Sequence, residues 1–108
     1  MKTSTVLRRA LRLLGENGER WIKGSYAKDK FSGPISWCDR RASLFCAVGA
    51  LRKSAPDSIK AELTLGYFLR SGSVSEWNDR ARSFATIRRG FERAIALAEK
   101  EEKSYLRR

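Results

Sequence analysis

Ala42-Ser43-Leu44-Phe45-Cys46-Ala47-Val48-Gly49-Ala50-Leu51 is a ten-residue run without a single charge. An element that is apolar almost all round must be covered on every side, so this run belongs at the centre of the fold. We read it as the interior of a helix that starts at Ser36 or Asp39. The small residues Ala47, Gly49 and Ala50 let neighbours approach closely. Charge appears only at its ends, as Arg40 and Arg41 before the run and Arg52 and Lys53 after it. The later pair complements the negative end of the helix dipole, whereas Arg40 and Arg41 oppose the positive end. No structural need accounts for that first pair.

Working outward, the preceding segment segregates cleanly at the helical period. Val6, Leu7, Ala10, Leu11, Leu13 and Leu14 share one side of a first helix, and Arg8, Arg9 and Arg12 share the other. Thr3 or Ser4 can cap its start, and Gly15 ends it in the left-handed role, followed by a turn at Glu16-Asn17-Gly18. Between Glu19 and Ser36, Trp21, Ile22, Tyr26 and Phe31 are scattered among Gly24, Gly33, Pro34 and three lysines with no sustained period. This reads as an ordered aromatic loop with room for a short hairpin, packed back on the body.

On the other side of the central run, Pro56 fits the first turn of a third helix capped by Ser54. Ile59, Leu63 and Tyr67, with Leu65 and Phe68, are assigned to its buried side, and Arg70 to Gly72 to its end. A loop containing Trp77-Asn78-Asp79 leads to a fourth helix capped by Ser83. In it Phe84, Ile87, Phe91, Ala94, Ile95 and Ala98 recur at spacings of three and four, and Glu99 stands four residues before Lys103. The expected architecture is therefore all-α, a compact single domain over residues 1–108 with about four helices and one long aromatic loop.

Composition narrows the chemistry. The chain has 108 residues, room for one domain, and no His, so Ser-His or Cys-His catalysis and His-containing metal sites cannot be built within it. Cys38 and Cys46 are too few for a closed zinc site, and both read as reduced thiols. At eight residues apart they would be about 12 Å apart on one helix, beyond disulfide reach. Asp39, Glu76 and Asp79 are the remaining acid/base groups, and no sequence pattern pairs them. No catalytic residue, metal or cofactor is expected. No apolar stretch approaches the roughly 18 residues of a membrane span, and the apolar N-terminal segment is interrupted by Arg8, Arg9 and Arg12. A cytoplasmic protein without membrane contact is the expectation.

Three stretches taken together carry a likeness: Trp21 with Lys23-Gly24, then Phe45-Cys46-Ala47-Val48-Gly49-Ala50-Leu51, then Trp77-Asn78-Asp79 through Arg82-Ser83 to Ile87 and Ala94. The chain resembles a small domain family of unknown function, found in bacteria and their phages, whose members share a cysteine-glycine-alanine-leucine helix and a later tryptophan-asparagine-aspartate turn. The resemblance spans about Ala10 to Ala98. It implies a helical fold and supplies no activity.

Two readings of Trp77-Asn78-Asp79 stand side by side. In one, Trp77 anchors the loop in the core, Asn78 satisfies loop backbone groups, and Asp79 caps the fourth helix or pairs with Arg82. In the other, the three residues contact a ligand or partner. Trp21 and Trp37 likewise serve either as packing or as exposed stacking platforms.

Charge points to a partner. Lys and Arg number 23, fifteen of them Arg, against 12 Asp and Glu, for a net charge of +11. Met1 to Gly15 carries four bases and no acid, and Arg80 to Arg93 carries five against Glu92 alone. Arg matches phosphate geometry in a bidentate way, and both clusters lie on outward faces of amphipathic helices. The expected function is a non-enzymatic basic protein that engages nucleic acid or another polyanion. Its expected contacts are Arg8, Arg9, Arg12, Arg88, Arg89 and Arg93, with Lys23, Arg40 and Arg41 as a second group. The alternative is a phage-type protein-binding inhibitor or adaptor, for example an anti-CRISPR-like anti-defence protein.

Overall fold

The computed structural model describes residues 1–31, 33–55, 57–67, 69 and 73–106. The described residues are mainly helical, as expected, with five helices and a two-strand antiparallel pairing. The elements are α1 (Thr3–Leu14), β1 (Ala27–Lys28), β2 (Leu44–Phe45), α2 (Ala47–Ser54), α3 (Ile59–Gly66), α4 (Val74–Arg80) and α5 (Phe84–Leu106).

Helix α1 buries Val6, Leu7, Ala10 and Leu14 and turns its arginines outward, as its periodicity requires. Its start departs from expectation. Lys2 occupies the cap position with no side-chain bond. Thr3 and Ser4 lie inside the helix, and the Glu102 carboxylate of α5 reaches across to accept from the Ser4 N–H at 3.2 Å and the Ser4 hydroxyl at 2.6 Å. A tertiary acid thus satisfies the orphan donor that a local cap would serve, next to the positive end of the dipole. At the other end Gly15 takes φ +94°, as predicted. The Arg20 guanidinium closes that end by donating to the carbonyls of Leu13 (2.7 Å) and Arg12 (3.0 Å). Helix α5 runs antiparallel to α1, since Ser4 meets Glu102 and Arg8 meets Glu99. Ser83 immediately precedes α5, and Phe84, Ile87, Phe91, Ala94 and Ala98 are buried in the core it was assigned to.

The central run divides between two kinds of structure. Leu44–Phe45 is a strand paired antiparallel with β1 in the register Ala27 to Phe45 and Lys28 to Leu44. The helix begins only at Ala47, with Cys46 as its cap and the Cys46 Sγ accepting from the Gly49 N–H at 3.4 Å. The expected start at Ser36 or Asp39 is thereby corrected. A short apolar run is ambiguous between strand and helix, and here backbone pairing on both sides of Phe45 decided it. Phe45 N–H donates to Arg20 at 2.8 Å, its carbonyl accepts from Ile22 at 3.0 Å, and Cys46 N–H donates to Tyr26 at 3.2 Å. The aromatic loop also folds on itself, with a bridge between Lys28 and Pro34. Helix α2 passes so close to it that a Cβ on Gly49 would overlap the Tyr26 carbonyl oxygen.

Helix α3 starts at Ile59 after Ser58, not at Ser54. It buries Ala61, Thr64 and Leu65, whereas Ile59, Leu63 and Tyr67 are exposed. The assignment of Ile59, Leu63 and Tyr67 to the buried side is therefore corrected, while that of Leu65 holds. The segment carries apolar residues at two interleaved helical registers, and periodicity alone cannot choose between them. Pro56, Phe68 and the expected helix end at Arg70 to Gly72 lie outside the described residues. The stretch with Trp77-Asn78-Asp79, expected as a loop, is helix α4. Ser73 caps it, its hydroxyl accepting from the Glu76 N–H at 3.0 Å.

Candidate functional site

Helix α4 buries Asn78 completely and surrounds it with partners from three separate stretches. Its Oδ1 accepts from the Trp21 indole N–H at 2.8 Å and from the Ala47 N–H at 2.9 Å. Its Nδ2 donates to the Ile22 carbonyl at 3.0 Å and to Asp79 Oδ1 at 3.3 Å. The same Asp79 oxygen accepts from the Gly24 N–H at 3.0 Å. Asn78 thus ties the aromatic loop to the start of α2, where an unpaired N–H near the core would cost about 1–3 kcal/mol. Asp79 serves the loop backbone instead of capping α5 or pairing with Arg82. These contacts are the packing reading of Trp77-Asn78-Asp79, and Trp77 completes it: its indole lies against Gly90 of α5, where a Cβ would overlap the ring.

Beside this polar knot lies a hollow of about 250 Å³ lined by Gly24, Ser25, Tyr26, Cys46, Ser75 and Asp79. Cys46 is its one nucleophilic sulfur, and burial raises the thiol above its ordinary value, which keeps it protonated and unreactive near neutrality. Asp79 lines the same hollow, and its negative charge raises the thiol further instead of activating it. Trp21 packs against the Phe84 ring, with centroids 5.9 Å apart, so it is a core anchor and not an open stacking platform. Trp37 is half-buried against the core.

The basic residues divide into three sets. Arg8, Arg12 and Arg88 meet in a groove of about 430 Å³ between α1 and α5, with Leu11, Gly15 and Glu16 completing its walls. Arg8 is also held by Glu99, 2.7 Å away, and Arg88 stacks over the Phe84 ring at 5.4 Å. Arg89 and Arg93, one turn apart, form an exposed row on the outer side of α5, and Arg9 is exposed on α1. The second group is dispersed among local partners. Lys23 lies over the Trp21 ring at 5.6 Å, while Arg41 donates to both Asp39 oxygens, at 3.2 and 3.1 Å. Arg40 and Arg41 precede a strand and not a helix, so the opposition to a helix dipole disappears. Sequence reasoning missed Glu99 as the partner of Arg8, because it assigned that acid to Lys103 on the same helix and nothing local marks a contact 91 positions distant.

Among the described residues no group of three or more Cys, Asp or Glu could hold a metal ion, and no helix is long and apolar enough to cross a membrane. The site and fold define a small, mostly helical domain whose three sequence signatures, Trp21 to Gly24, Cys46 to Leu51 and Trp77 to Asp79, converge on one buried asparagine. A model of the family of unknown function DUF6197 matches residues 1–97, and the chain belongs to that family. No curated protein and no solved structure gives a significant match.

Proposed function

We propose that the protein is a non-enzymatic binding module that holds the phosphate backbone of nucleic acid in the groove between α1 and α5. The observation that carries this reading is the meeting of Arg8, Arg12 and Arg88 from two helices in one groove. Guanidinium groups converging from two directions suit a phosphate, which accepts on several oxygens. Arg9, Arg89 and Arg93 extend the basic surface beyond the groove, and the net charge of +11 draws a polyanion toward it from a distance.

Fluorescence anisotropy against duplex DNA, single-stranded DNA and structured RNA, each titrated in salt, tests the reading. Binding should weaken steeply with salt, since each neutralised phosphate releases counterions. Arg12→Glu with Arg88→Glu should lower affinity by about tenfold or more and flatten the salt slope by about two. Unchanged affinity in this double variant rules out the groove. Absence of binding to all three ligands rules out the function and leaves the protein-binding alternative.

A further inference from the structure

Helix α3 exposes Ile59, Leu63 and Tyr67 to 67%, 70% and 72%, at successive four-residue steps. They form an apolar ridge with a hollow on each side. One, of about 620 Å³, lies toward Lys60, Thr64 and Leu97, and the other, of about 380 Å³, lies toward Glu62, Gly66 and Val48. Tyr26, 44% exposed, lines the second hollow, so four of the six large exposed apolar side chains among the described residues gather on this one face. Scattered single apolar residues are ordinary on a surface, but a contiguous group marks an interaction site.

We propose that this face joins two copies of the chain, with the α3 ridge of each entering a hollow of the other about a two-fold axis. A two-fold interface needs a self-complementary surface, and a ridge flanked by grooves is one, as in helix-on-helix packing. Charge selects the same occupant. Asp57, Glu62 and Glu101 line the two hollows against only Arg52 and Lys60, and Arg52 is bound to Glu62 at 3.2 Å. On a chain of net charge +11, this is a face where a second copy meets little repulsion. Both signs are present, so Lys60 of each copy finds acids on the other. The three ridge side chains expose on the order of 400 Å², about half of what each partner buries in a standard interface, and the hollow walls add to it. An interface of that size lies at the small end of the range, where association is weak and reversible. The α1 groove lies on the other flank of α5 and stays open, so the dimer stands whether or not that groove binds nucleic acid.

Sedimentation velocity on nucleic-acid-free protein, from about 10 µM to 1 mM, reads the association directly. The weight-average coefficient should rise from monomer to dimer across that range. Leu63→Glu should remain monomeric throughout, with helical circular dichroism and melting temperature unchanged because the side chain is exposed. Ile59→Lys should do the same, providing a second reading should Leu63→Glu fail to fold, and Arg89→Glu should dimerise like the parent. A parent chain that is monomeric at every concentration overturns the proposal and reserves the ridge for a foreign partner. Dimerisation that survives in Leu63→Glu or Ile59→Lys overturns it as well.

Discussion

The indole N–H of Trp21 donates to the side-chain oxygen of Asn78 at 2.8 Å, joining residues 57 positions apart. That oxygen simultaneously accepts from Ala47 at the head of α2. One amide therefore holds the aromatic loop against the two helices it would otherwise leave, α2 and α4. A loop of this length in so small a domain needs such a tie, because ordering its backbone costs about 1–2 kcal/mol per residue.

Removing the amide should be among the most destabilising single changes in the molecule. Asn78→Ala leaves the Trp21 indole, the Ala47 N–H and the Ile22 carbonyl without their partner. Each loses a bond in or near the core, so a loss of about 3–4 kcal/mol is expected. At about 4–8 °C per kcal/mol for a domain of this size, the melting temperature should fall by about 12 °C or more. Asn78→Asp keeps the acceptor but removes the donor to Ile22 and sets a charge beside Asp79, and it should also destabilise. Thermal denaturation followed by circular dichroism checks both. A shift under about 3 °C for Asn78→Ala would mean the loop is held by its other contacts.

Gly90→Ala inverts a common rule. In a helix interior this exchange usually stabilises by about 1 kcal/mol. Here the added methyl meets the Trp77 indole, which is half-buried and cannot simply withdraw, so a net loss of about 1–3 kcal/mol is expected. In a Trp77→Leu background the same change should become neutral or stabilising. A double-mutant cycle measures the reversal, and equal effects in both backgrounds would exclude the contact.

The amphipathic helices were legible because burial follows period: the cores of α1 and α5 are the residues their spacing selects. The rest was decided by non-local pairing. Phe45 became strand because Arg20 and Ile22 bond it and Tyr26 bonds Cys46 beside it, and no window around Phe45 contains them. Helix α3 carries Leu63 and Leu65 on different faces with equal apolar character, so only tertiary packing could say which was buried. At the candidate site, the outward direction of Arg8 and Arg12 was readable, but their meeting with Arg88 depended on how two helices are rotated against each other. Asn78 was readable as a residue that satisfies loop backbone, whereas its helix and its full burial were not.

The two cysteines should separate by environment. Cys38 is exposed, and Cys46 is buried with its thiol pushed above the ordinary value of 9.0. A thiol reagent at neutral pH should modify one sulfur per native chain quickly and the second only upon unfolding. The raised value also links to stability. The fold favours the protonated thiol, so its contribution is complete below the unfolded thiol's range and falls as pH rises above about 9. Cys46→Ala should flatten that alkaline loss in denaturant titrations, while Cys38→Ser should leave it intact. Two rapidly modified thiols in the folded chain would contradict the burial of Cys46.

Glu99 offers a gain-of-function test of the groove. Its carboxylate lies 2.7 Å from Arg8, and both side chains are about two-fifths exposed, at 40% and 45%. An exposed pair of this kind contributes about 0–1 kcal/mol, so Glu99→Gln should leave the melting temperature nearly unchanged. It also frees the Arg8 guanidinium and removes a negative charge beside the groove. If the groove holds phosphate, nucleic-acid affinity should rise severalfold, and the salt slope should steepen by up to about one as Arg8 gains a phosphate partner. Glu102→Gln is the matched control: it removes the same charge one turn further along α5, where the carboxylate serves Ser4 at the start of α1. That variant should lose about 1 kcal/mol of stability with little gain in affinity. Equal gains in both variants would reduce the effect to general charge, whereas a gain confined to Glu99→Gln would trace it to Arg8.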